Sequence, residues 1–181
     1  MWAHEHWNLE DSPDIVTFSK KMQIGGFFYK EPFRPDQAFR IFNTWLGDPS
    51  KLVFLEAVVK TIKEENLIQK IAKTGDYMLK GLEALQTKYP KLILNARGRG
   101  TFCAIDFSTP ELRDKAIKVC IKRDNKTIIN FFTKLQVMHS NGVHCGGSGS
   151  ATLRVRTTLT FNEKHVDVFL NKLDISLNQL K

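Results

Sequence analysis

A lysine at the end of a short apolar segment is the first feature of this sequence that could carry chemistry. Residues 14–22 read Asp-Ile-Val-Thr-Phe-Ser-Lys-Lys-Met, and Gly25 and Gly26 follow. This pattern predicts a short strand that ends near Lys20, with a turn of small residues behind it. Glycines permit close approach to the backbone, and a lysine amine in such a place could form a Schiff base with a carbonyl compound. A surface lysine at a strand end is the alternative interpretation.

The other residue types that often carry chemistry show no such arrangement. The cysteines Cys103, Cys120 and Cys145 are far apart and form no CxxC pair, which argues against a zinc site or a disulfide framework and favours a reducing compartment. His139, His144 and His165 lack the spacing of metal ligands, so we expect no metal site and give these three histidines no site role.

Composition restricts the class of protein. The 181 residues are 42% hydrophobic and 25% charged, which suits one globular domain, or one small domain with a piece of another. The net charge of +8 permits an anionic partner but does not require one. The lysines are scattered and no arginine block with interleaved aromatics occurs, so we expect no nucleic-acid partner. No stretch approaches the ~18 apolar residues of a membrane helix, so we expect no membrane association.

The elements that must position Lys20 follow from local patterns. Residues 1–47 are rich in glycine, proline and aromatics, and predict loops with short strands held by a larger framework. Asp48 and Pro49 predict the start of a helix, as a capping residue followed by proline at the first helical position. A second helix, ended by Pro90, is predicted from one apolar face formed by Ile68, Ile71, Ala72, Gly75, Met78, Leu79, Leu82 and Leu85.

The second half of the chain mixes strands and helices. We predict a strand at 101–107, a helix from Pro110 to about Ile121, a glycine-rich turn at 142–149 and a strand at 153–161. Residues 124–139 have no clean period. Asn162 should cap a final helix whose apolar positions are Val166, Phe169, Leu170, Leu173, Leu177 and Leu180. This order of elements indicates an α/β or α+β layer in which helices cover a sheet.

Several runs of residues together resemble one known family. They read Trp-Ala-His-Glu-His-Trp at 2–7, Thr-Phe-Ser-Lys-Lys-Met at 17–22, Gly-Gly-Phe-Phe at 25–28, Phe-Arg-Pro at 33–35, Arg-Ile-Phe-Asn-Thr-Trp-Leu-Gly-Asp-Pro-Ser-Lys at 40–51 and Arg-Gly-Arg-Gly-Thr-Phe-Cys at 97–103. In order and nearly in spacing, they resemble the C-terminal portion of the 4-aminobutyrate (GABA) aminotransferases, within the class III pyridoxal-phosphate-dependent aminotransferases. The resemblance covers essentially the whole chain.

The resemblance implies a fold, a cofactor and a reaction. The fold is the α/β fold of the fold-type I transferases, here the end of the large domain plus the C-terminal small domain. The cofactor is pyridoxal 5'-phosphate, held as a Schiff base on Lys20, with Lys21 as the competing candidate. The implied reaction moves the amino group of GABA to 2-oxoglutarate, giving succinic semialdehyde and glutamate, in a homodimer of the mitochondrial matrix. The first residues lack a signal peptide's basic start and apolar core, so any targeting segment is expected outside this sequence.

The resemblance also implies roles for three further residues. Thr44 matches a threonine whose hydroxyl donates to the cofactor phosphate of the partner subunit, and Phe42 matches a phenylalanine that walls the substrate slot. Composition alone leaves a capping hydroxyl and a buried aromatic as alternatives. Arg154, in Leu-Arg-Val-Arg at 153–156, matches an arginine that takes a carboxylate of the dicarboxylate substrate. The planar fork of arginine suits that task, whereas an ordinary surface ion pair is the alternative.

The domain division implied by the resemblance has three parts. Residues 1–47 end the large cofactor-binding domain, 48–95 form connecting helices, and 96–181 form the small domain, with extra residues at 123–140. A second departure from the family is Thr157, which stands where relatives have proline.

The chain matches only part of that family's length, so we expect the isolated chain to be inactive. The N-terminal part of the site, including the aspartate that pairs with the pyridine nitrogen, would lie upstream. Two other hypotheses stay open: an inactive truncated paralogue or isoform that acts at most as a dimerisation partner, and a basic binding module unrelated to transamination.

Overall fold

The computed structural model describes residues 2–121 and 143–181, apart from residues 43, 45 and 144. The chain forms two compact units, Met1–Ile68 and Gln69–Lys181, and each is described by itself. The extra residues predicted at 123–140 lie outside the described residues, as do His139 and His144. The predicted three-part division stays a prediction.

In its described residues, the first unit contains a small hairpin, three short 3-10 helices and one α-helix. Strand β1 (Ile15–Phe18) pairs antiparallel with β2 (Gly26–Tyr29), and the 3-10 helices span Ala3–Trp7, Lys20–Met22 and Glu31–Phe33. Helix α1 (Pro49–Glu64) begins as predicted. Its capping residue Asp48 accepts a hydrogen bond from the backbone N–H of Ser50 at 2.9 Å, with Pro49 at the first position.

The second unit is an antiparallel sheet covered by helices on one face. The strand order is β3 (Ile93–Arg99), β4 (Phe102–Phe107), β6 (Thr152–Arg156) and β5 (Gly146–Ser148). The helices are α2 (Leu67–Lys88), which begins in the first unit, α3 (Pro110–Ile121) and α4 (Glu163–Asn178). Alternate strand residues enter the core against these helices, because successive side chains of a strand point to opposite faces. The core includes Met78, Leu82, Ile93, Cys103, Ile105, Phe107, Ala116, Leu153, Val155, Val166, Phe169, Leu173 and Leu177.

The helices agree better with the sequence than the strands do. Helix α4 begins after Asn162, whose side chain accepts from the N–H of Lys164 at 3.1 Å, as predicted. Helix α2 buries most of its predicted face, but Ile68 is 41% exposed and Ala72 is exposed, while Thr74 is buried. The turn after β3, at Gly100, packs against Ile71 and Gly75 of α2 and marks the edge of the sheet. Ala72 lies near this edge, where the sheet no longer covers the helix.

Three strand predictions need correction. The sequence pattern missed β3, because its residues 95–99 are polar or small. The predicted turn at 142–149 contains strand β5, whose glycines still pair with β6. The predicted strand at 153–161 ends at Arg156. There the Thr157 hydroxyl donates to the Thr101 hydroxyl at 2.8 Å, and the chain turns to reach the α4 cap.

We expect Gly75→Ala to lower the free energy of unfolding by about 1–3 kcal/mol, as overpacked sites do. Alanine normally stabilises a helix interior relative to glycine by about 1 kcal/mol. Here, however, an added Cβ would lie 2.2 Å from the backbone carbonyl of Gly100, which cannot turn aside as a side chain can. Urea unfolding of the two proteins measures the change.

Gly81→Ala is the matched control in the same helix. Its added Cβ would lie 2.2 Å from Cδ1 of Leu170, the far end of a flexible side chain, so the loss should be smaller. A Gly75→Ala protein as stable as Gly81→Ala would contradict the close approach of α2 to the turn at Gly100.

Candidate functional site

Lys20 is held in an unusual backbone conformation just past strand β1. Ser19 is extended, and Lys20 then has a φ of 59° and begins the 3-10 helix Lys20–Met22. The Lys20 carbonyl accepts from the N–H of Gln23 at 2.9 Å. Left-handed φ values are uncommon for residues other than glycine and cluster at active sites and ligand clamps. The predicted strand-end lysine is therefore present, exposed and constrained at its backbone.

An aromatic cluster fixes the strand that precedes Lys20. The rings of Trp2, Phe18 and Phe28 lie with centroids 5.4–6.2 Å apart. Phe18 pairs with Gly26 across the hairpin, and a Cβ on Gly26 would lie 2.5 Å from Phe18 Cζ. In this structure Gly26 makes room for the Phe18 ring. Because Gly26 has no side chain, the Phe18 ring can pack over it, and this contact holds the end of β1 just before Lys20.

The amine of Lys20 differs from those of its neighbours. Lys30 pairs with Asp11 at 2.8 Å and with Asp14 at 3.2 Å. The hydrogen bond from Lys30 lowers the pKa of Asp11, and the two carboxylates raise the pKa of Lys30. Lys21 also has an interaction partner. Among the described residues the Lys20 amine has no ion pair, so no carboxylate there competes with a carbonyl ligand.

The two predicted dimer-facing residues are exposed. Phe42 is 74% exposed, and its ring packs edge-on at 6.1 Å from Phe39, which is 83% exposed. Thr44 lies in an exposed turn of the same unit. The alternative of a buried aromatic at Phe42 therefore does not hold in this chain.

Arg154 lies in the middle of strand β6, on the open face of the sheet. Its neighbours Leu153 and Val155 enter the core, so Arg154 points away from the helices. It pairs in register with Ala104 on β4 and with Gly146 on β5, so small residues flank it on both sides. Among the described residues Arg154 has no ion pair.

A cavity of about 490 Å³ opens on this face of the sheet. It is lined by Arg97, Arg99, Phe102, Ala104, Thr152 and Arg154, among others. Arg97 is already engaged: its two terminal nitrogens donate to the two oxygens of Asp106, each at 2.9 Å. Hydrogen bonds from Arg97, and then from Thr152 and Asn95, lower the pKa of Asp106, which therefore stays ionised. The cavity thus offers cationic groups that suit a carboxylate.

Other chemistries find no support in the part of the chain that the structure describes. It contains no group of three or more His, Cys, Asp or Glu residues that could hold a metal ion. Nor does any helix in the same ranges have the length and apolar character to cross a membrane. Burial raises the pKa of the Cys103 thiol to about 11, which keeps it protonated and a poor nucleophile.

Comparison with known proteins assigns the family. The profile of the aminotransferase class-III family matches residues 1–177, so this chain belongs to that family. It is 45% identical over 170 residues to the mitochondrial 4-aminobutyrate aminotransferase of Sus scrofa and 48% identical over 170 residues to that of Mus musculus. Each match covers 94% of this chain but 30% of the relative. A protein named probable 4-aminobutyrate aminotransferase, mitochondrial, from Caenorhabditis elegans is 43% identical, over 99% of this chain and 34% of its own length.

Solved structures confirm the predicted fold class. The lysine aminotransferase from M. tuberculosis in the internal aldimine form superposes with a TM-score of 0.79 at 24% identity, over 99% of this chain and 38% of that one. An S-selective transaminase from Arthrobacter sp. with alanine bound gives a TM-score of 0.77 at 21% identity, over 98% and 40%. The chain therefore has part of the aminotransferase α/β fold and spans about a third of its curated relatives' length.

The predicted site residues fall into both units. Lys20, Phe42 and Thr44 lie in the first, and Arg154 lies in the second. Sequence reasoning missed Arg97 and Asp106. The signal was weak, since one arginine and one aspartate nine residues apart meet only when β3 and β4 pair.

Proposed function

We propose that this chain is the C-terminal part of a pyridoxal-phosphate-dependent aminotransferase that moves the amino group of GABA to 2-oxoglutarate. Identities of 43–48% to proteins named 4-aminobutyrate aminotransferase support the substrates. Several relatives are named mitochondrial, which supports a mitochondrial location. The family resemblance supports the matrix as the compartment and a homodimer as the assembly. The observation that carries the proposal is the exposed Lys20 amine, which has no ion pair among the described residues and sits on a constrained left-handed backbone.

The residues present suit pyridoxal phosphate. An aldehyde cofactor needs an accessible amine, which Lys20 supplies, and a phosphate accepts hydrogen bonds from small hydroxyl donors, such as that of the exposed Thr44. Thr44 would donate to the phosphate held by the partner subunit. When bound, the cofactor supplies an electron sink for removal of a proton from the substrate carbon.

Each site residue then has a defined role in the reaction. Lys20 Nζ would hold the cofactor through a Schiff base. Once free, the Nζ amine would take the proton from the substrate carbon as general base and deliver it to the cofactor as general acid. Phe42 forms an apolar wall of the substrate slot and excludes water from it. The Arg154 guanidinium binds one carboxylate of 2-oxoglutarate and orients that substrate.

Reductive labelling should place the cofactor on Lys20. The longest natural protein that contains these residues is incubated with pyridoxal phosphate, reduced with borohydride and digested, and the labelled peptide is mapped. We expect the label on Lys20, because its exposed amine has no ion pair among the described residues and its backbone is held in a left-handed conformation. Lys20→Arg is the negative control, since a guanidinium forms no Schiff base under these conditions.

Two other outcomes have definite meanings. Label on Lys21 alone, or spread evenly over surface lysines, would contradict the assignment of Lys20. Label on Lys20 without formation of succinic semialdehyde in a coupled assay would instead favour the inactive isoform.

A further inference from the structure

Two arginines flank one small residue on the open face of the sheet in the second unit. Arg97 on β3 and Arg154 on β6 both pair in register with Ala104 on β4. Their backbones are therefore two strand spacings apart, about 10 Å. Ala104 presents only a methyl group between them, and both arginines line the same cavity. By position alone, either guanidinium could bind an anion there.

Asp106 distinguishes the two arginines. It takes both terminal nitrogens of Arg97, at 2.9 Å each, in the bidentate geometry that gives the strongest carboxylate pairs. Arg97 Nη1 also donates to the Asn95 carbonyl at 2.8 Å. Arg154 has no ion pair among the described residues. Of the two arginines that flank Ala104, Arg97 is thus neutralised and Arg154 is not.

The ion pair belongs to a hydrogen-bonded network that spans three strands. The Thr152 hydroxyl on β6 donates to Asp106 Oδ1 at 2.6 Å, and the Asn95 amide on β3 donates to Oδ2 at 3.1 Å. Thr152 is also the register partner of Asp106. The Asp106 side chain is only 23% exposed. These contacts hold the carboxylate in place before any ligand arrives, unlike a typical surface pair.

The remaining arginine of the cavity is set apart by an aromatic ring. Arg99 pairs in register with Phe102, which is 58% exposed and is itself paired with Arg156 on β6. Phe102 therefore stands between Arg99 and strand β6, whereas only Ala104 stands between Arg97 and Arg154. The arginine that could join Arg154 on one small anion is Arg97.

We propose that Asp106 is a specificity-determining residue of the carboxylate site: by neutralising Arg97 it leaves Arg154 as the guanidinium that receives the anion. This inference rests on the proposed function, in which Arg154 binds a substrate carboxylate. A single carboxylate needs one guanidinium. A compact dianion, such as sulfate or inorganic phosphate, gains from two. The network therefore favours the carboxylate end of an organic acid over small inorganic dianions. The dianion is disfavoured because Arg97, held by Asp106, is not available as its second guanidinium.

The test compares the binding of sulfate and glutarate to the 181-residue protein by calorimetric titration. Asp106→Asn removes the charge and keeps the size, so Arg97 becomes available beside Arg154. We expect sulfate to bind on the order of tenfold more tightly, because one added charge-assisted bond contributes roughly that factor. The affinity for glutarate should change by less than about threefold, because one carboxylate needs only the guanidinium of Arg154. Circular dichroism verifies that the variant is folded.

The double variant Arg97→Gln with Asp106→Asn provides a second, independent readout. Its two neutral amides keep a hydrogen bond between β3 and β4 but carry no charge. Sulfate and glutarate should bind it as they bind the wild-type protein, because Arg97 is already neutralised there. The comparison holds even if Asp106→Asn alone does not fold.

Two results would overturn the inference: unchanged sulfate affinity in folded Asp106→Asn, or weakened glutarate binding in the double variant. A separate arm tests the proposed function. Arg154→Ala should abolish glutarate binding in the wild-type background, and unchanged binding would remove the role of Arg154 regardless of the sulfate results.

Discussion

Replacing Lys20 by alanine should lower the transamination rate of the longest natural protein containing these residues by about 10²–10⁴-fold, the usual range for losing a general acid–base group. The loss follows because the same amine is proposed to hold the cofactor and to move the proton of the substrate carbon. A coupled assay for succinic semialdehyde measures it. An added primary amine, such as methylamine, should restore part of the rate, because it can replace the missing proton-transfer group.

Lys21→Ala is the matched control. Lys21 is adjacent in sequence and also exposed, but it has an interaction partner in the structure. Its replacement should leave the rate within about threefold of wild type, as expected for a surface substitution of at most ~0.5 kcal/mol. Equal losses in the two variants, or a larger loss at Lys21, would contradict the assignment.

The second large effect is expected at Arg154. Arg154→Ala should raise the apparent requirement for 2-oxoglutarate by roughly 10- to 150-fold, because a charge-assisted bond contributes about 1.5–3 kcal/mol. The half-reaction with GABA should change less, because the family resemblance implies that a different arginine, upstream of these residues, binds the single carboxylate of GABA. Arg154→Lys should recover only part of the loss, because an ammonium cannot reproduce the planar fork. Stopped-flow traces of the two half-reactions, recorded separately, measure both effects.

Arg156→Ala serves as the control for Arg154. Arg156 is two residues along the same strand and exposed, but it does not line the cavity that contains Arg154. Its replacement should leave both half-reactions nearly unchanged. Equal losses in both half-reactions of Arg154→Ala would mean that Arg154 supports the sheet rather than the substrate.

The helices of this protein could be predicted because their signals are local. Asp48 and Asn162 act as capping residues in the structure as the sequence indicated, since a cap depends only on residues two or three positions away. Strands β3 and β5 could not be predicted this way. Residues 95–99 and Gly146–Ser148 lack the apolar alternation of a strand, and they are extended because β4 and β6 provide their hydrogen-bond partners.

The same contrast applies to the candidate site. The sequence led to Lys20 because a lysine after a short apolar run is visible locally, and the structure places it just past β1 as expected. The link between Arg97 and Asp106 requires the register of β3 on β4, including the irregularity between Leu94 and Arg97. Register is set by pairing across the sheet, so no local pattern revealed the partner of Arg97.

The two outer strands of the second unit's sheet have a consequence for aggregation. An exposed, regular edge strand can recruit an identical strand from another molecule. Here β5 has only three residues. At the other edge, β3 is interrupted between Leu94 and Arg97, and Asn95 has a φ of 53°. Arg99, which is exposed, adds a charge along that edge. Within the described residues, neither border offers a long, flat template, so growth of fibrils by edge-to-edge strand addition is disfavoured at these two strands.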